Sequence, residues 1–536
     1  MEKNGVASLE INDKQEENKK INILEEYGVV GYPKVLIRIY EDQEKRRLYD
    51  VKEPALDDIS LKVYKELMDM VFKDIDLSKR LAEKKILEEG IDILIPIAKD
   101  LASKKLIKGF HIRKDGKFNE LRKRIDDIAL VSSYYVARDL IGYGKIEPLI
   151  RDPYIEDISC NGLYIPVFVY HTKYEWLTTN VVFNTQEELD SIIAKLGVRS
   201  SREPSIATPI IEGLLKPEGY RVNIVLDTVS RRGHSFTIRK FRAEPFTLIE
   251  LMRSKTLDPL VAAFIWLAVE NKQGIIFYGP TGSGKTTLLN ASTTLLPTEY
   301  KIVTVEDTPE VYLPFHENWG AMMTRLSTDP RVENVTLQSQ IEAALRQRPD
   351  VIIVGEIRSR EAYAFFQALA TGHGGLTTVH AESADVLIKR LISPPMNVPA
   401  SLISAARLFV NILRIEEGGN VFRKVMRIDE SWGYNIETNS VLLKEKILWD
   451  RYKNSWYMKG TESYLLKSVA SLNLISYEEA FDDLKRRATI LNWLMNKNAD
   501  SAMLNEVLRL YRRNPIDLYN KAKAETGEFN IDIRGD

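Results

Sequence analysis

The residues best suited to chemistry lie at positions 279–287, where Gly-Pro-Thr-Gly-Ser-Gly-Lys-Thr-Thr follows the P-loop pattern G-x-x-x-x-G-K-T. Glycines let backbone N–H groups turn toward a phosphate without a Cβ in the way. Lys285 can reach the β- and γ-phosphates, and the Thr286 hydroxyl is placed to ligate Mg²⁺. The pattern therefore predicts a site for ATP and Mg²⁺. The predicted nucleotide-binding residues are Gly279, Pro280, Thr281, Gly282, Ser283, Gly284, Lys285, Thr286 and Thr287.

The segments on either side of this loop supply the context that the motif needs. Residues 274–278 form a short apolar run typical of a buried parallel strand, and residues 287–291 lack Pro and Gly and favour a helix. A helix that begins directly after the loop adds partial positive charge where a phosphate would bind. A glycine-rich turn that binds nothing would not account for the strand, the Lys-Thr pair and the helix together.

A second buried strand, predicted over residues 351–354, ends in Gly355-Glu356. An acidic residue at the end of a strand near a P-loop strand completes a nucleotide site. An Asp usually stands first and touches the Mg²⁺ shell, but Gly355 takes that place here. We therefore predict that Glu356 polarises the water that attacks the γ-phosphate and also serves the metal site. The alternative is a carboxylate at a helix N-terminus.

Three carboxylates follow a third predicted strand, residues 302–305. Glu306, Asp307 and Glu310 at one strand end repel one another unless a cation or hydrogen-bond donors lie there. They could hold Mg²⁺ through waters or orient the nucleophile, or they could form a solvated acidic loop. Glu310 is a second candidate for catalysis. The predicted metal-site residues are Thr286, Glu306 and Glu356.

The segment of residues 371–380 is glycine-rich, then extended, and it ends in His380. This histidine could sense or stabilise the γ-phosphate, which makes it a further catalytic candidate. The alternative is a structural histidine with its hydrogen bonds satisfied. No spacing suggests a metal site shared with His373.

These motifs lie in a stretch, residues 247–415, where apolar strands alternate with helices, which predicts an α/β domain with a parallel sheet. Residues 152–242 instead predict a smaller α+β domain with Arg221 and Arg239 on its strands. Glu244-Pro245-Phe246 is the predicted linker. We divide the chain into an N-terminal extension with a helical lead-in (1–145), the α+β domain (146–243), the α/β domain (244–430) and a C-terminal strand and helical region (431–536).

Local patterns outside the motifs predict further elements. Residues 35–40 alternate as a strand does, residues 59–101 have helical spacing, and residues 142–149 indicate a turn. Residues 1–20 are polar and charged, which predicts disorder. Residues 103–124 hold nine Lys or Arg and could bind acidic headgroups or form the solvated face of a helix pair.

Composition narrows the class of protein. The 536 residues carry a formal net charge of −1, which gives no overall bias toward nucleic acid or anionic lipid. The single cysteine, Cys160, excludes an intramolecular disulfide and suits a reducing compartment. Residues 260–269 are the most apolar stretch but are too short to cross a bilayer. The first residues lack the apolar core of a signal peptide, so we expect a cytoplasmic protein.

Three segments that follow or flank the P-loop strand together resemble one family. Residues 304–310 are similar to the aspartate box, residues 348–358 to the atypical Walker B motif with its Gly-Glu, and residues 371–380 to the histidine box of the secretion ATPases that drive type II secretion, type IV pili and conjugation. The resemblance covers about residues 142–415. The flanks resemble the archaeal branch, which includes the archaellum motor and archaeal pilus assembly ATPases. The absence of the four-cysteine module of bacterial type II members supports that branch.

The resemblance implies a hexameric ring, in which a RecA-like motor domain is hinged to an N-terminal domain with ATP between them. Arg221 and Arg239 would supply catalytic charge to the phosphates, from the same or the neighbouring subunit. The partners would be a polytopic inner-membrane platform protein and, indirectly, pilin-like subunits. The motor would then lie at the cytoplasmic face of the membrane and assemble a type IV pilus-like filament or an archaellum.

Two other functions stay open at this point. A nucleic-acid translocating motor would also be a RecA-like hexamer, but the neutral total charge and the lack of a clear basic and aromatic strand-binding segment argue against it. No nucleic-acid partner is therefore expected. A regulatory nucleotide switch would bind ATP tightly and hydrolyse little.

Overall fold

The apolar runs of the sequence form two sheets, one in each of the two units into which the chain divides, Met1–Arg242 and Ala243–Asp536. The structure is a computed structural model that describes residues 22–29, 35–84, 87–107, 118–240, 245–325, 331, 333–417 and 420–535. The tail predicted to be disordered, residues 1–20, and the centre of the basic stretch, residues 108–117, lie outside the described residues.

The described residues of the first unit form a nine-stranded sheet in the order β1-β2-β3-β6-β5-β4-β9-β8-β7. Its strands are β1 (Asn22–Gly28), β2 (Leu36–Glu41), β3 (Arg47–Lys52), β4 (Ile155–Cys160), β5 (Pro166–His171), β6 (Glu175–Val182), β7 (Ile210–Leu215), β8 (Tyr220–Val225) and β9 (Ser235–Arg239). Burial alternates along them as a one-sided sheet requires: in β2, Ile37 and Ile39 are fully buried while Arg38 between them is partly exposed.

The described helices of the first unit lie both before and after residue 145. They are α1 (Asp58–Lys73), α2 (Ile75–Ala82), α3 (Leu87–Ile107), α4 (Phe118–Leu140), α5 (Glu147–Arg151) and α6 (Gln186–Ser200). Helix α1 buries Val63, Leu67 and Val71 on one face, so the helical spacing recognised in this part of the sequence is confirmed.

The turn predicted at residues 142–149 is only partly correct. A 3-10 turn at Gly144–Ile146 leads directly into α5, so most of this segment is helical. Pro148 lies at the start of α5, where the missing N–H of proline has no helical partner to lose. A proline that indicated a turn in the sequence therefore marks the start of a helix.

The described residues of the second unit contain a ten-stranded sheet in the order β12-β11-β13-β14-β10-β15-β16-β17-β18-β19. Its strands are β10 (Gly274–Gly279), β11 (Ile302–Glu306), β12 (Trp319–Met323), β13 (Val351–Val354), β14 (Gly374–His380), β15 (Ala406–Glu417), β16 (Asn420–Asn435), β17 (Ser440–Asp450), β18 (Ser455–Lys459) and β19 (Ile533–Arg534). Strands β10 to β15 pair in parallel, and every residue of β10, β11 and β13 is buried. The predicted α/β fold is confirmed. Strands β15 to β18 then pair antiparallel and extend the sheet.

Helices of the second unit include one that is apolar on all sides. The helices are α7 (Leu248–Arg253), α8 (Pro259–Glu270), α9 (Lys285–Thr293), α10 (Leu337–Leu345), α11 (Glu361–Ala370), α12 (Ala384–Ile392), α13 (Ala400–Ile403), α14 (Tyr464–Asn473), α15 (Tyr477–Asn496), α16 (Ser501–Arg513) and α17 (Pro515–Thr526). Helix α8 is buried from Pro259 to Val269, because β10 lies on one side of it and α15 on another. Trp266 of α8 contacts Tyr511 of α16, with ring centroids 4.9 Å apart. The most apolar stretch of the sequence is thus a core helix. Within the described residues, no helix is long and apolar enough to cross a bilayer.

The four-segment division stays a prediction, and the sheets run across two of its boundaries. Strand β3 pairs with β6, so strands from both sides of residue 145 share one sheet. Strand β16 contains residue 430, so the third boundary falls inside a strand. Sheet pairing between distant segments leaves no local mark in the sequence, which is why these connections were not predicted.

Candidate nucleotide site

The P-loop joins the end of β10 to the start of α9 in a backbone conformation that glycine favours. Gly282 and Gly284 have φ values of +74° and +95°, which would strain any residue with a Cβ. Gly284 precedes the first helical residue, Lys285, and has no side chain with which to cap the helix. The first N–H groups of this nine-residue helix are therefore available to an anionic ligand such as a phosphate.

The sheet brings the other predicted site residues to the same edge as the P-loop. Strand β14 pairs with β10 so that His380 lies opposite Gly279, and β13 is the next strand beyond β14. Glu356 follows β13, and Glu306 is the last residue of β11. Because carboxyl ends of parallel strands meet at one edge of a sheet, these residues and the loop share that edge.

His380 connects the P-loop lysine with the predicted catalytic carboxylate. Its Nδ1 lies 3.3 Å from Lys285 Nζ and 3.3 Å from Thr281 Oγ1, while its Nε2 lies 3.1 Å from Glu356 Oε1. An ammonium group can only donate, so Nδ1 accepts and the proton of the neutral imidazole is on Nε2, which faces Glu356. Burial, followed by the charge of Lys285, lowers the pKa of His380 and favours this neutral form.

Glu356 is held as a carboxylate by its neighbours. Arg358 Nη2 donates to Glu356 Oε2 at 2.6 Å, and His380 faces the other oxygen. Burial raises the pKa of Glu356, but the hydrogen bond and charge of Arg358, with Lys285 acting in the same direction, bring the net pKa below its usual value. The position predicted for the general base therefore holds an ionised side chain whose Oε2 accepts from Arg358, while its Oε1 is buried without a hydrogen-bond partner among the described residues.

Lys285 is the cation of the loop and is 5% exposed. Its Nζ donates to the backbone oxygen of Pro280 at 2.8 Å. Burial is the main reason that its pKa falls to about 8, with Arg358 acting in the same direction and Glu356 and Glu310 opposing it. The side chain is still mostly protonated at neutral pH, as phosphate binding requires.

Glu306 fixes the loop after β11. Its Oε1 accepts the N–H groups of Glu310 at 2.9 Å and Val311 at 3.1 Å, and the backbone oxygen of Glu310 accepts from Asn290 Nδ2 at 3.0 Å. A Cβ added at Gly355 would lie 3.3 Å from Glu306 Oε1. Glu306 thus places a carboxylate beside the position where an Asp usually stands, and its role in a metal site stays a prediction.

Replacing Glu306 with glutamine should flatten the pH dependence of stability. Burial raises the pKa of Glu306 to about 7, although the two N–H bonds oppose burial. The folded chain then binds this proton more tightly than the unfolded chain, so stability falls as the pH rises from about 4.3 to about 7. Glu306→Gln keeps the acceptor and should reduce this loss by on the order of 1–2 kcal/mol, measured by denaturant unfolding at pH 5 and pH 8. If the variant loses as much stability between the two pH values as the parent, Glu306 is not the titrating group.

The two predicted arginines lie together in the first unit. Arg221 on β8 and Arg239 on β9 are directly opposite each other. Arg221 pairs with Glu212 at 3.2 Å, and Arg239 Nε lies 3.8 Å from Asp157. Both side chains remain well exposed, and the nearby carboxylates offset the repulsion between the two like charges. The P-loop and its neighbours lie in the second unit.

Two further arginines near the loop were not predicted as site residues. Arg358 follows Glu356 by two positions, so its proximity to the motif could have revealed it. Arg423 on β16 donates its Nε–H to the backbone oxygen of Gly282 at 3.2 Å, across 141 positions of sequence. No local pattern points to such a contact, because the antiparallel extension of the sheet brings it about.

The hydrogen-bond donors and the hydroxyl ligand of this site are suited to ATP with Mg²⁺. The helix N–H groups and Lys285 suit phosphate, and Thr286 follows in the first turn of α9. Ser283 Oγ, inside the loop, is buried without a hydrogen-bond partner among the described residues. In the part of the chain that the structure describes, no three His, Cys, Asp or Glu side chains converge as a metal site. A metal ion here would therefore depend on phosphate oxygens as well as on protein ligands.

Several known proteins are similar to this chain. A family model described as Type II/IV secretion system protein matches residues 214–415, which include the P-loop, Glu356 and His380. The uncharacterized protein MJ0900 of Methanocaldococcus jannaschii is 35% identical over 475 residues, 86% of this chain and 84% of that protein. The type IV secretion system protein PtlH of Bordetella pertussis is 37% identical over 206 residues, 34% of this chain and 60% of PtlH.

A solved structure is also similar to this chain. The VirB11 ATPase from the Brucella suis type IV secretion system is 26% identical, and the match covers 53% of this chain and 92% of VirB11 with a TM-score of 0.28. The family model agrees with the resemblance found in the aspartate, Walker B and histidine segments. The chain therefore belongs to the type II/IV secretion ATPase family.

Proposed function

We propose that this protein hydrolyses ATP and uses the energy to drive a secretion or filament-assembly machine. The observation that carries the proposal is the chain of contacts from Lys285 through His380 to Glu356, which joins a phosphate-binding cation to an ionised carboxylate. Membership of the secretion ATPase family supports the same activity.

In the proposed reaction, the helix N–H groups and Lys285 hold the phosphates, and Glu356 takes a proton from water. The water oxygen bonds to the γ-phosphorus as the bond from that phosphorus to the β–γ bridging oxygen breaks, which yields ADP and phosphate. Mg²⁺, when bound, would neutralise charge on the phosphate oxygens, with Thr286 as a protein ligand. His380 contacts both Lys285 and Glu356, so a shift of the phosphate-binding lysine would also move the group beside the proposed base.

In its finer form, the proposal is a homohexameric ring. The ring would act at the cytoplasmic face of the membrane on a polytopic platform protein. That partner would move pilin-like subunits into a type IV pilus-like filament or an archaellum. The match to MJ0900 along most of both chains supports the archaeal branch.

The paired arginines have a role in this proposal, because the transition state spreads negative charge over the γ-phosphate oxygens. Arg221→Ala or Arg239→Ala should lower turnover on the order of a hundredfold, with weaker effects on ATP binding. The matching Lys variants should rescue poorly, since a point charge does not replace the guanidinium fork. Turnover is measured on variants whose hexamers are verified by light scattering. Near-normal turnover in intact hexamers would show that the first unit delivers no catalytic charge.

The function is tested on the purified full-length chain by phosphate release with Mg²⁺, alone, with anionic vesicles and with single-stranded DNA at low and high salt. The proposal expects turnover that DNA does not stimulate. Salt-sensitive DNA binding with stimulated turnover would instead identify a nucleic-acid motor. Tight ATP binding with negligible turnover in every condition would identify a regulatory switch.

In cells, deletion of the gene should abolish a surface filament or a secreted protein, and the parent gene should restore it.

A further inference from the structure

Arg423 packs against the P-loop from the side opposite to the predicted catalytic residues. Its Nε–H donates to the backbone oxygen of Gly282, and its Cδ would lie 3.2 Å from a Cβ added at Gly284. The residue is half-buried on β16, in the hairpin formed with β15. Its side chain therefore lies along the outer face of the loop, beside the start of α9.

The order of strands indicates how a nucleotide would be oriented in the site. Strand β10, which ends in the P-loop, has β14 on one side and β15 on the other. His380 at the end of β14 and Glu356 after β13 lie on the first side, where the γ-phosphate must be for hydrolysis. Arg423 on β16 lies on the second side. A nucleotide whose γ-phosphate faces Glu356 therefore directs its sugar and base toward the β15–β16 hairpin.

The charges around Arg423 leave its guanidinium available to a ligand. Among the described residues, no carboxylate lies within ion-pair distance of it. Its partner across the hairpin is Arg414, another cation, which pairs with Glu416 at 3.0 Å. A guanidinium in this setting has a planar face that can stack on an aromatic ring.

We infer that Arg423 binds the nucleoside end of the nucleotide by stacking its guanidinium on the purine base. The inference rests on the proposed nucleotide site. It adds to that site a residue that contacts the nucleoside, which ATP and ADP have in common. Because this contact does not change between substrate and transition state, it contributes to binding and not to the chemical step.

The test compares three ligands on the full-length chain by titration calorimetry: ATP, ADP and inorganic tripolyphosphate, which has the phosphates without the nucleoside. Arg423→Ala should weaken ATP and ADP by about tenfold each and tripolyphosphate by less than about twofold. In the same variant the KM for ATP should rise by about tenfold. Arg423→Lys keeps the charge and the aliphatic stem but lacks the planar group, so it should weaken ATP and ADP as well. Arg414→Ala is the matched control, since it removes one arginine from the same hairpin, and thermal unfolding checks that each variant folds.

Three outcomes would overturn the inference. Equal weakening of tripolyphosphate would show that Arg423 only shapes the loop through Gly282. Unchanged ATP and ADP affinities in folded Arg423→Ala and Arg423→Lys would show that the base lies elsewhere. A parent chain that binds neither ATP nor tripolyphosphate would remove the proposed nucleotide site itself, and the inference with it.

Discussion

Replacing Glu356 with glutamine should lower ATP turnover by roughly a thousandfold and leave ATP binding within about threefold of the parent. The amide keeps the size of the side chain but cannot take a proton from water. It also removes the charge that pairs with Arg358 at 2.6 Å, so Arg358 is freed to interact with the phosphates and affinity is not expected to fall. Phosphate release and equilibrium nucleotide binding, measured on the same sample, separate the two effects.

A matched control for this experiment lies nearby. Glu382 is exposed and follows His380 by two positions, so Glu382→Gln removes one carboxylate from the same region and should change turnover by less than about twofold. If Glu356→Gln abolishes ATP binding but retains substantial turnover, Glu356 serves mainly the metal site. The general base would then have to be sought at Glu310.

Lys285→Ala should remove hydrolysis to below detection and also weaken ATP binding. Lys285 supplies the main side-chain counter-charge for the β- and γ-phosphates, and its ammonium contacts His380, as the Thr281 hydroxyl also does. The charge is buried, so solvent cannot replace it. The measurement is phosphate release at saturating ATP, with nucleotide affinity determined separately.

Lys389→Ala provides the comparison for this variant, because Lys389 is exposed on α12 and lies outside the site. It should behave as the parent does. Turnover of Lys285→Ala within about threefold of the parent, a barrier change below about 1 kcal/mol, would remove the P-loop assignment.

Local patterns were sufficient for the elements that carry the predicted site. Continuous apolar runs identified β10, β11 and β13 as buried strands, and the residues that follow them in the sequence are the ones gathered at one edge of the sheet. The prediction succeeded because residues that follow parallel strands all lie at the same edge of the sheet.

Contacts made by the later part of the chain could not be predicted in the same way. The approach of Lys285 to His380 spans 95 positions and follows from β10 and β14 being neighbours in the sheet. The contact of Arg423 with Gly282 depends on the register of an antiparallel strand beyond the parallel sheet. The turn predicted at residues 142–149 is only partly correct for a different reason, because proline is common both in turns and at the first positions of helices.

The burial of α8 has a mechanical consequence. Arg487 of α15 forms an ion pair with Glu270 at the end of α8, and its guanidinium lies 4.4 Å from the Trp266 ring centroid. Only residues 271–273 separate the end of α8 from β10, the strand that leads into the P-loop. A load applied to the C-terminal helices therefore passes through α8 and this short connection to the strand that carries the nucleotide-binding loop. A chain truncated before α15 would lose that path and expose an apolar helix, so we expect it to aggregate.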